Sequence, residues 1–197
     1  AGDYEYGLRS DATGTGTVTA SKFFFESNQF QNANIKYDAG HPLPSSGIIY
    51  GGTSTLGSTT TRNKLTVEGL ELGGATYGGY TQGSGDSTHN EVVLKAESNH
   101  YGSTVFGGYA AQGNATNNTV TLVETINPTM GYQYLHLKGG DSNKPGADVT
   151  TGNKLRITSA NNTAHSIYNF EKLEFVLGSN ISSGDSMFTI GYGPAGA

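Results

Sequence analysis

The sequence contains no cysteine. Structural disulfides and thiolate metal sites are therefore excluded, while both a bacterial surface location and a cytosolic one pass that test. Charge is also scarce: 14% of the 197 residues are charged, against about 25% in a typical globular chain. The net charge is −5 and no basic cluster offsets it, which argues against a nucleic-acid partner. No apolar run approaches the roughly 20 residues of a membrane-spanning helix, so no membrane insertion is expected of this segment. No signal peptide opens the chain, which is read as a mature or excised fragment running from "AGDYEYG" to "GYGPAGA". The hydrophobic fraction is low, at 34%.

What fills the chain instead is glycine, threonine, serine and asparagine. Thirty glycines are about twice the usual share. With so little charge, the composition differs from that of disordered chains. It suits an extended β-architecture with many turns and a narrow core.

Two markers recur in step. Gly-Gly pairs stand at Gly51-Gly52, Gly78-Gly79, Gly107-Gly108 and Gly139-Gly140, at intervals of 27, 29 and 32 residues. An asparagine follows each pair, at Asn63, Asn90, Asn118 and Asn153. After each asparagine comes a short alternating segment: "NKLTV", "NEVVL", "NTVTL", "NKLRI". Leu65 and Val67, Val92 and Leu94, Val120 and Leu122, Leu155 and Ile157 are the apolar members. The positions between are polar except Val93. Alternation of this kind predicts a strand with one buried face. Four copies in one phase predict that the buried faces stack.

The glycine segments "GIIYGGT", "GATYGGY", "GSTVFGGY" and "YLHLKGGD" predict a second strand per repeat. The glycines serve a corner with positive φ, or a place too crowded for a Cβ. The asparagine is expected at a left-handed turn position, bonded amide to amide with its counterpart in the next coil. Lys64 and Glu91 would place opposite charges on adjacent coils.

A repeat of this length cannot bury its apolar face alone, so the predicted fold is an all-β parallel β-helix, or β-solenoid, with about one coil per 27–32-residue repeat. Coils about 4.8 Å apart would give a short rod on the order of 30 Å long. The expected organisation is residues 1–46 as N-terminal strands or cap, 47–165 as a four-repeat solenoid, and 166–197 as C-terminal capping strands and tail. "HPLPSSG" reads as a loop, and "NPTMGYQY" lengthens the third-to-fourth connection. No helix is expected. The segment "IYNFEKLEFVLGSNISSGDSMFTIGYG" predicts one long strand and one short one about a Gly-Ser turn.

Chemistry-bearing residues are sparse. The carboxylates Asp86, Glu91, Glu97, Asp141 and Asp148 are scattered, whereas glycoside hydrolysis needs two flanking one bond. Asp86 and Asp141 are read as turn residues in equivalent loops two coils apart. His41, His89, His100, His136 and His165 lack metal-ligand spacing and are read as surface or turn residues. "GGDSNKPGAD" lacks the calcium-binding nonapeptide pattern. No GxSxG, P-loop or CxxC occurs. No catalytic residue, metal ligand or cofactor is assigned. Tyr50, Tyr77 and Phe106 are expected to fill a corner of the core. Tyr80 and Tyr109, beyond the glycines, are the candidate binding residues, able to stack against sugar rings or form a flat contact patch if they face outward.

The segments "VFGGYAAQGNATNNTVTL" and "TYGGYTQGSGDSTHNEVVL" resemble repeats in the passenger regions of Gram-negative type V autotransporters. The closing "IYNFEKLEFVLGSNISSGDSMFTI" is similar to the edge of such passengers. The resemblance covers roughly residues 47–190. It implies a parallel β-helix at the bacterial cell surface or secreted, associated with the outer membrane, virulence and adhesion. The implied partners are host or bacterial surface proteins or glycans. It carries no fixed catalytic residues. The expectation is thus a non-enzymatic stalk or contact module of an adhesin. The competing expectation is a carbohydrate-active β-helix enzyme or phage tailspike-like depolymerase.

Overall fold

The computed structural model describes residues 16–19, 33–37, 48–54, 57–68, 74–95, 103–125 and 135–191. The loops expected at "HPLPSSG" and "NPTMGYQY", the terminal "GPAGA", and His41, Glu97 and His100 lie outside them. Among the described residues every regular element is a strand, and the strands pair in parallel between successive windings. The fold is a β-solenoid.

One winding shows how the sequence makes three faces. Ala75–Thr81 is the glycine strand. A turn leads to the short strand Ser87–Thr88. His89 takes a left-handed backbone, φ 57°, and turns the chain into the long-face strand Glu91–Lys95. The next glycine strand, Thr104–Ala110, then lies directly on the first, Tyr80 against Tyr109 and Gly79 against Gly108.

Stacked windings give three principal sheets. The long sheet has seven strands, in order Gly16–Thr19, Ala33–Tyr37, Lys64–Glu68, Glu91–Lys95, Thr119–Leu122, Lys154–Ile157 and Lys172–Phe175. The glycine sheet runs from Ile49–Tyr50 through Ala75–Thr81, Thr104–Ala110 and His136–Ser142 to Ser166–Tyr168. The third sheet joins Thr60–Thr61, Ser87–Thr88 and Ala115–Thr116.

The expected file of side chains is present. Leu65 pairs with Val92, Val92 with Val120 and Val120 with Leu155; all four are fully buried. Val67, Leu94, Leu122 and Ile157 form a second file beside them. Ile49, Val105 and Leu137 face them from the glycine sheet. The alternation of each strand sends these side chains inward and their neighbours outward. On the outer surface Lys64 Nζ lies 3.2 Å from Glu91 Oε2, the cross-strand ion pair expected from the repeat.

The interior is not uniformly apolar. Asn63, Asn90, Asn118 and Asn153 are buried and form a ladder. Asn90 Oδ1 accepts from the Asn63 backbone N–H at 3.1 Å and from Asn63 Nδ2 at 2.9 Å. Asn118 serves Asn90 in the same way, at 2.9 and 3.1 Å. Asn153 serves Asn118, at 2.8 and 3.4 Å. The Asn90, Asn118 and Asn153 amides also donate to carbonyls of the short face, Thr60 O at 3.1 Å, Ser87 O at 2.9 Å and Ala115 O at 2.8 Å. Every polar group taken from water in this seam thus gains a partner, which such burial requires.

The left-handed position is not the asparagine but the residue before it. Arg62, His89 and Asn117 have φ of 56°, 57° and 57°, and Gly152 has φ of 70°. The asparagine is freed from the turn to point inward.

The glycine pairs serve crowding, not positive φ, since none of the eight lies in the left-handed region. A Cβ on Gly107 would fall 2.7 Å from Gly139 O in the next winding. A Cβ on Gly79 would collide with Nδ2 of Asn90. The two sequence markers keep step because they are two halves of one contact: the asparagine amide occupies the space the second glycine leaves.

The C-terminal region departs from expectation. The long strand expected across "IYNFEKLEFVL" is broken into Ser166–Tyr168 and Lys172–Phe175. Asn169, left-handed at φ 58°, turns the chain straight from the glycine sheet to the long sheet. Phe188–Ile190 then pairs with Asn162–Ala164, and Phe170, Met187 and Phe188 pack against the end of the core.

Candidate functional site

The glycine pair also decides what the outer surface carries. Simple alternation would put Tyr77 and Tyr80, three residues apart, on opposite faces. Both members of the Gly-Gly step are buried, however, so the alternation slips by one residue. Thr76 and Thr81 point inward while Tyr77 and Tyr80 both face out. In the next winding Val105 is in the core, and Phe106 and Tyr109 lie on the other side of the strand, Phe106 buried there among its neighbours and Tyr109 partly exposed. Tyr50 follows buried Ile49 outward in the same way. The expectation that Tyr50, Tyr77 and Phe106 fill a core corner is therefore corrected for Tyr50 and Tyr77, which are only half-buried, while Phe106 is buried at 8% exposure; the inward positions of these strands are held by Ile49, Thr76 and Val105.

Register stacks the rings into two columns. Tyr50 and Tyr77 are 5.5 Å apart at 12°, and Tyr77 and Phe106 are 4.7 Å apart at 14°. Beside them Tyr80 and Tyr109 are 5.0 Å apart at 10°. The columns meet edge to face, with Tyr77 and Tyr80 centroids 5.0 Å apart at 67°. Both geometries are favourable for aromatic quadrupoles. The ring faces within each column are spent on one another, so edges and phenolic hydroxyls are what the terrace offers outward.

The columns end in an ion pair. Lys138 takes the place above Phe106, and Asp141 the place above Tyr109. Lys138 Nζ is 2.7 Å from Asp141 Oδ2 and lies over the Phe106 ring at 5.3 Å and the Tyr168 ring at 5.9 Å. Such cation–π contacts carry the column onward through a charged residue. The phenols respond to this packing. Burial pushes Tyr77 well above the ordinary tyrosine range, with Tyr50, Tyr80, Tyr109 and Asp141 adding to it. Tyr50 is raised by burial and then Tyr80, and Tyr109 by burial, Tyr80 and Asp141. Tyr50, Tyr77 and Tyr109 thus keep their protons to higher pH than a free tyrosine would.

The other residues singled out in the sequence are dispersed. Asp86 belongs to a second ladder: Asn114 N–H donates to Asp86 Oδ1 at 2.7 Å, and Asp148 N–H to Asn114 Oδ1 at 3.0 Å. The equivalents of Asp86 are therefore Thr59, Asn114 and Asp148; Asp141 instead shares register with Tyr109, so Asp86 and Asp141 are not in equivalent loops. His89 is a turn residue. His136 and His165 meet edge to face at 5.0 Å. His136 also bonds Ser166 Oγ at 2.6 Å, and its imidazole is held below the usual range by burial, His165 and Lys138. Among the described residues no three His, Cys, Asp or Glu side chains cluster as metal ligands would, and no helix is long and apolar enough to cross a membrane.

Fold and site together define a parallel β-solenoid with an aromatic terrace on one outer face. No protein-family model, curated protein or solved structure matches the chain.

Proposed function

We propose that this chain is a rigid contact module of adhesin type, displayed at the surface of a Gram-negative bacterium or secreted from it, as the passenger region of an autotransporter. Its contact surface is the aromatic terrace, with Tyr80 and Tyr109 as the central binding residues. The single observation that carries the reading is five aromatic rings stacked on the outer side of one sheet, four of them, Tyr50, Tyr77, Tyr80 and Tyr109, partly exposed. Aromatics on an outer face mark contact sites when they form a continuous patch. Because the ring faces are engaged, a partner would be met through ring edges and hydroxyls. That suits the hydroxyls of a glycan or the peptide groups of a surface protein better than face-on sugar stacking. The reading as a polysaccharide-cleaving enzyme finds no comparable support, since Asp86 is engaged in a backbone ladder and Asp141 with Lys138.

The test compares Tyr80→Ala/Tyr109→Ala with Lys64→Ala, on the long face. Binding to a glycan array and to cells should fall at least about tenfold for the tyrosine variant, the loss of about 1.4 kcal/mol, and stay unchanged for the lysine variant. Equal binding by all three proteins rejects the terrace as the contact surface.

A further inference from the structure

The C-terminal end of the long sheet is a template without an occupant among the described residues. Lys172–Phe175 is the last strand of that sheet. Lys172 N–H donates back to Asn153 O at 3.1 Å, and Val176 N–H to Ile157 O at 2.9 Å. In a parallel ladder alternate residues bond to the same side. Leu173 and Phe175 therefore turn their backbone groups to the open edge. Their side chains continue the two core files, Leu173 after Leu155 and Phe175 after Ile157. Yet Leu173 is 50% exposed and Phe175 47%, where every earlier member of the described files is at most 1%. Leu177, two residues after Phe175, is exposed as well. Edges of this kind invite another strand.

Charge selects the occupant. On the outer surface of the last two strands, Glu174 already serves Lys154 at 3.1 Å and Arg156 at 3.9 Å. Lys172 stands in register with Lys154, so positive charge is in excess there. The edge reads Lys172-Leu173-Glu174. This triplet is its own complement under a two-fold axis through Leu173. Antiparallel pairing in that register sets Leu173 against Leu173 inside, and Lys172 against Glu174 of the second copy outside, twice over. Opposite charges directly across an antiparallel pair are stabilising, and like charges the reverse. Centring the axis on Glu174 would oppose two carboxylates. Centring it on Phe175 would leave Lys172 and Glu174 facing no charge.

We propose that the C-terminal edge binds a second copy of this chain, tail to tail, by antiparallel pairing of Lys172–Phe175 about a two-fold axis at Leu173. An isologous contact of this kind closes on itself and ends growth at two copies. It stands independently of the terrace and of the adhesin reading.

The absence of cysteine makes the register testable. In the paired state two Leu173 Cα atoms lie about 5.5 Å apart, inside the roughly 4.4–6.8 Å that a disulfide spans. Two Phe175 Cα atoms lie about 14 Å apart, four residues of strand rise. Under oxidation Leu173→Cys should form a covalent dimer and Phe175→Cys should not. By sedimentation at micromolar concentration, the unmodified chain should run at twice 20.6 kDa. Lys172→Glu should raise the dissociation constant at least about tenfold, with its far-ultraviolet circular dichroism unchanged and its melting temperature lowered only at concentrations where the unmodified chain is dimeric. A monomeric unmodified chain overturns the proposal, as does cross-linking through position 175 in place of 173.

Discussion

At the scale of single residues, the asparagine ladder has the largest consequences. Asn118 accepts two hydrogen bonds from Asn90 and donates to Ser87 O and to Asn153 Oδ1. Its neighbour Thr119 lies on the outer side of its strand. Removing the Asn118 amide strands the Asn90 backbone N–H and side chain in a fully buried site. Each unsatisfied buried group costs about 1–3 kcal/mol. Asn118→Ala is therefore expected to lower the melting temperature by many degrees, and Thr119→Ala by a few at most. Equal melting temperatures for the two variants would show that the ladder does not stabilise the stack. The residue pattern announcing this ladder was legible: an asparagine 11–14 residues after each glycine pair. The residue in the left-handed turn was not. Arg62, His89, Asn117 and Gly152 share a backbone conformation but no side-chain chemistry. The regular signal was their setting, Thr-Arg-Asn, Thr-His-Asn, Thr-Asn-Asn and Thr-Gly-Asn, which is visible once the turn is known.

At the scale of elements, the long-face strands of the four repeats were legible because, Val93 apart, each alternates apolar and polar residues. The short strands Thr60–Thr61, Ser87–Thr88 and Ala115–Thr116 were not, since two residues cannot display a period. The glycine strands misled in one respect. Alternation counted through Gly78-Gly79 gives the wrong face for one tyrosine of each pair, because the buried glycine step adds a residue to the inner side. The resulting columns make a prediction about alkali. Tyr50, Tyr77 and Tyr109 have folded pKa values raised above the ordinary 10.0, each chiefly by burial. A raised acid favours the folded state while protonated. That contribution is intact below pH 10 and is lost as pH rises toward the folded values. A near-ultraviolet absorbance titration with parallel circular dichroism should show late ionisation of these phenols coinciding with unfolding. Tyr77→Phe should remove one late-ionising group. A single reversible ionisation near pH 10 with the dichroism unchanged would contradict the packed columns.

At the scale of the whole molecule, the chain is a one-dimensional stack in which each winding buries its neighbour. Its middle was readable because four copies repeat the same solution. Its C-terminal end was not, because the last winding skips the short face through Asn169 and reaches the long sheet only 18 residues after the previous strand, Lys154 to Lys172. The open edge could not be foreseen either, since Leu173 and Phe175 look like ordinary core residues until the stack is seen to stop at them. The interior and the outer surface thus rest on the same geometry: equivalent residues lie over one another, inside as apolar files and an amide ladder, outside as ring columns. A crystal structure of the chain tests that geometry most directly. The expected result is Leu65, Val92, Val120 and Leu155 in one line, with successive Cα atoms about 4.8 Å apart. Those four residues scattered across different strand positions would contradict it.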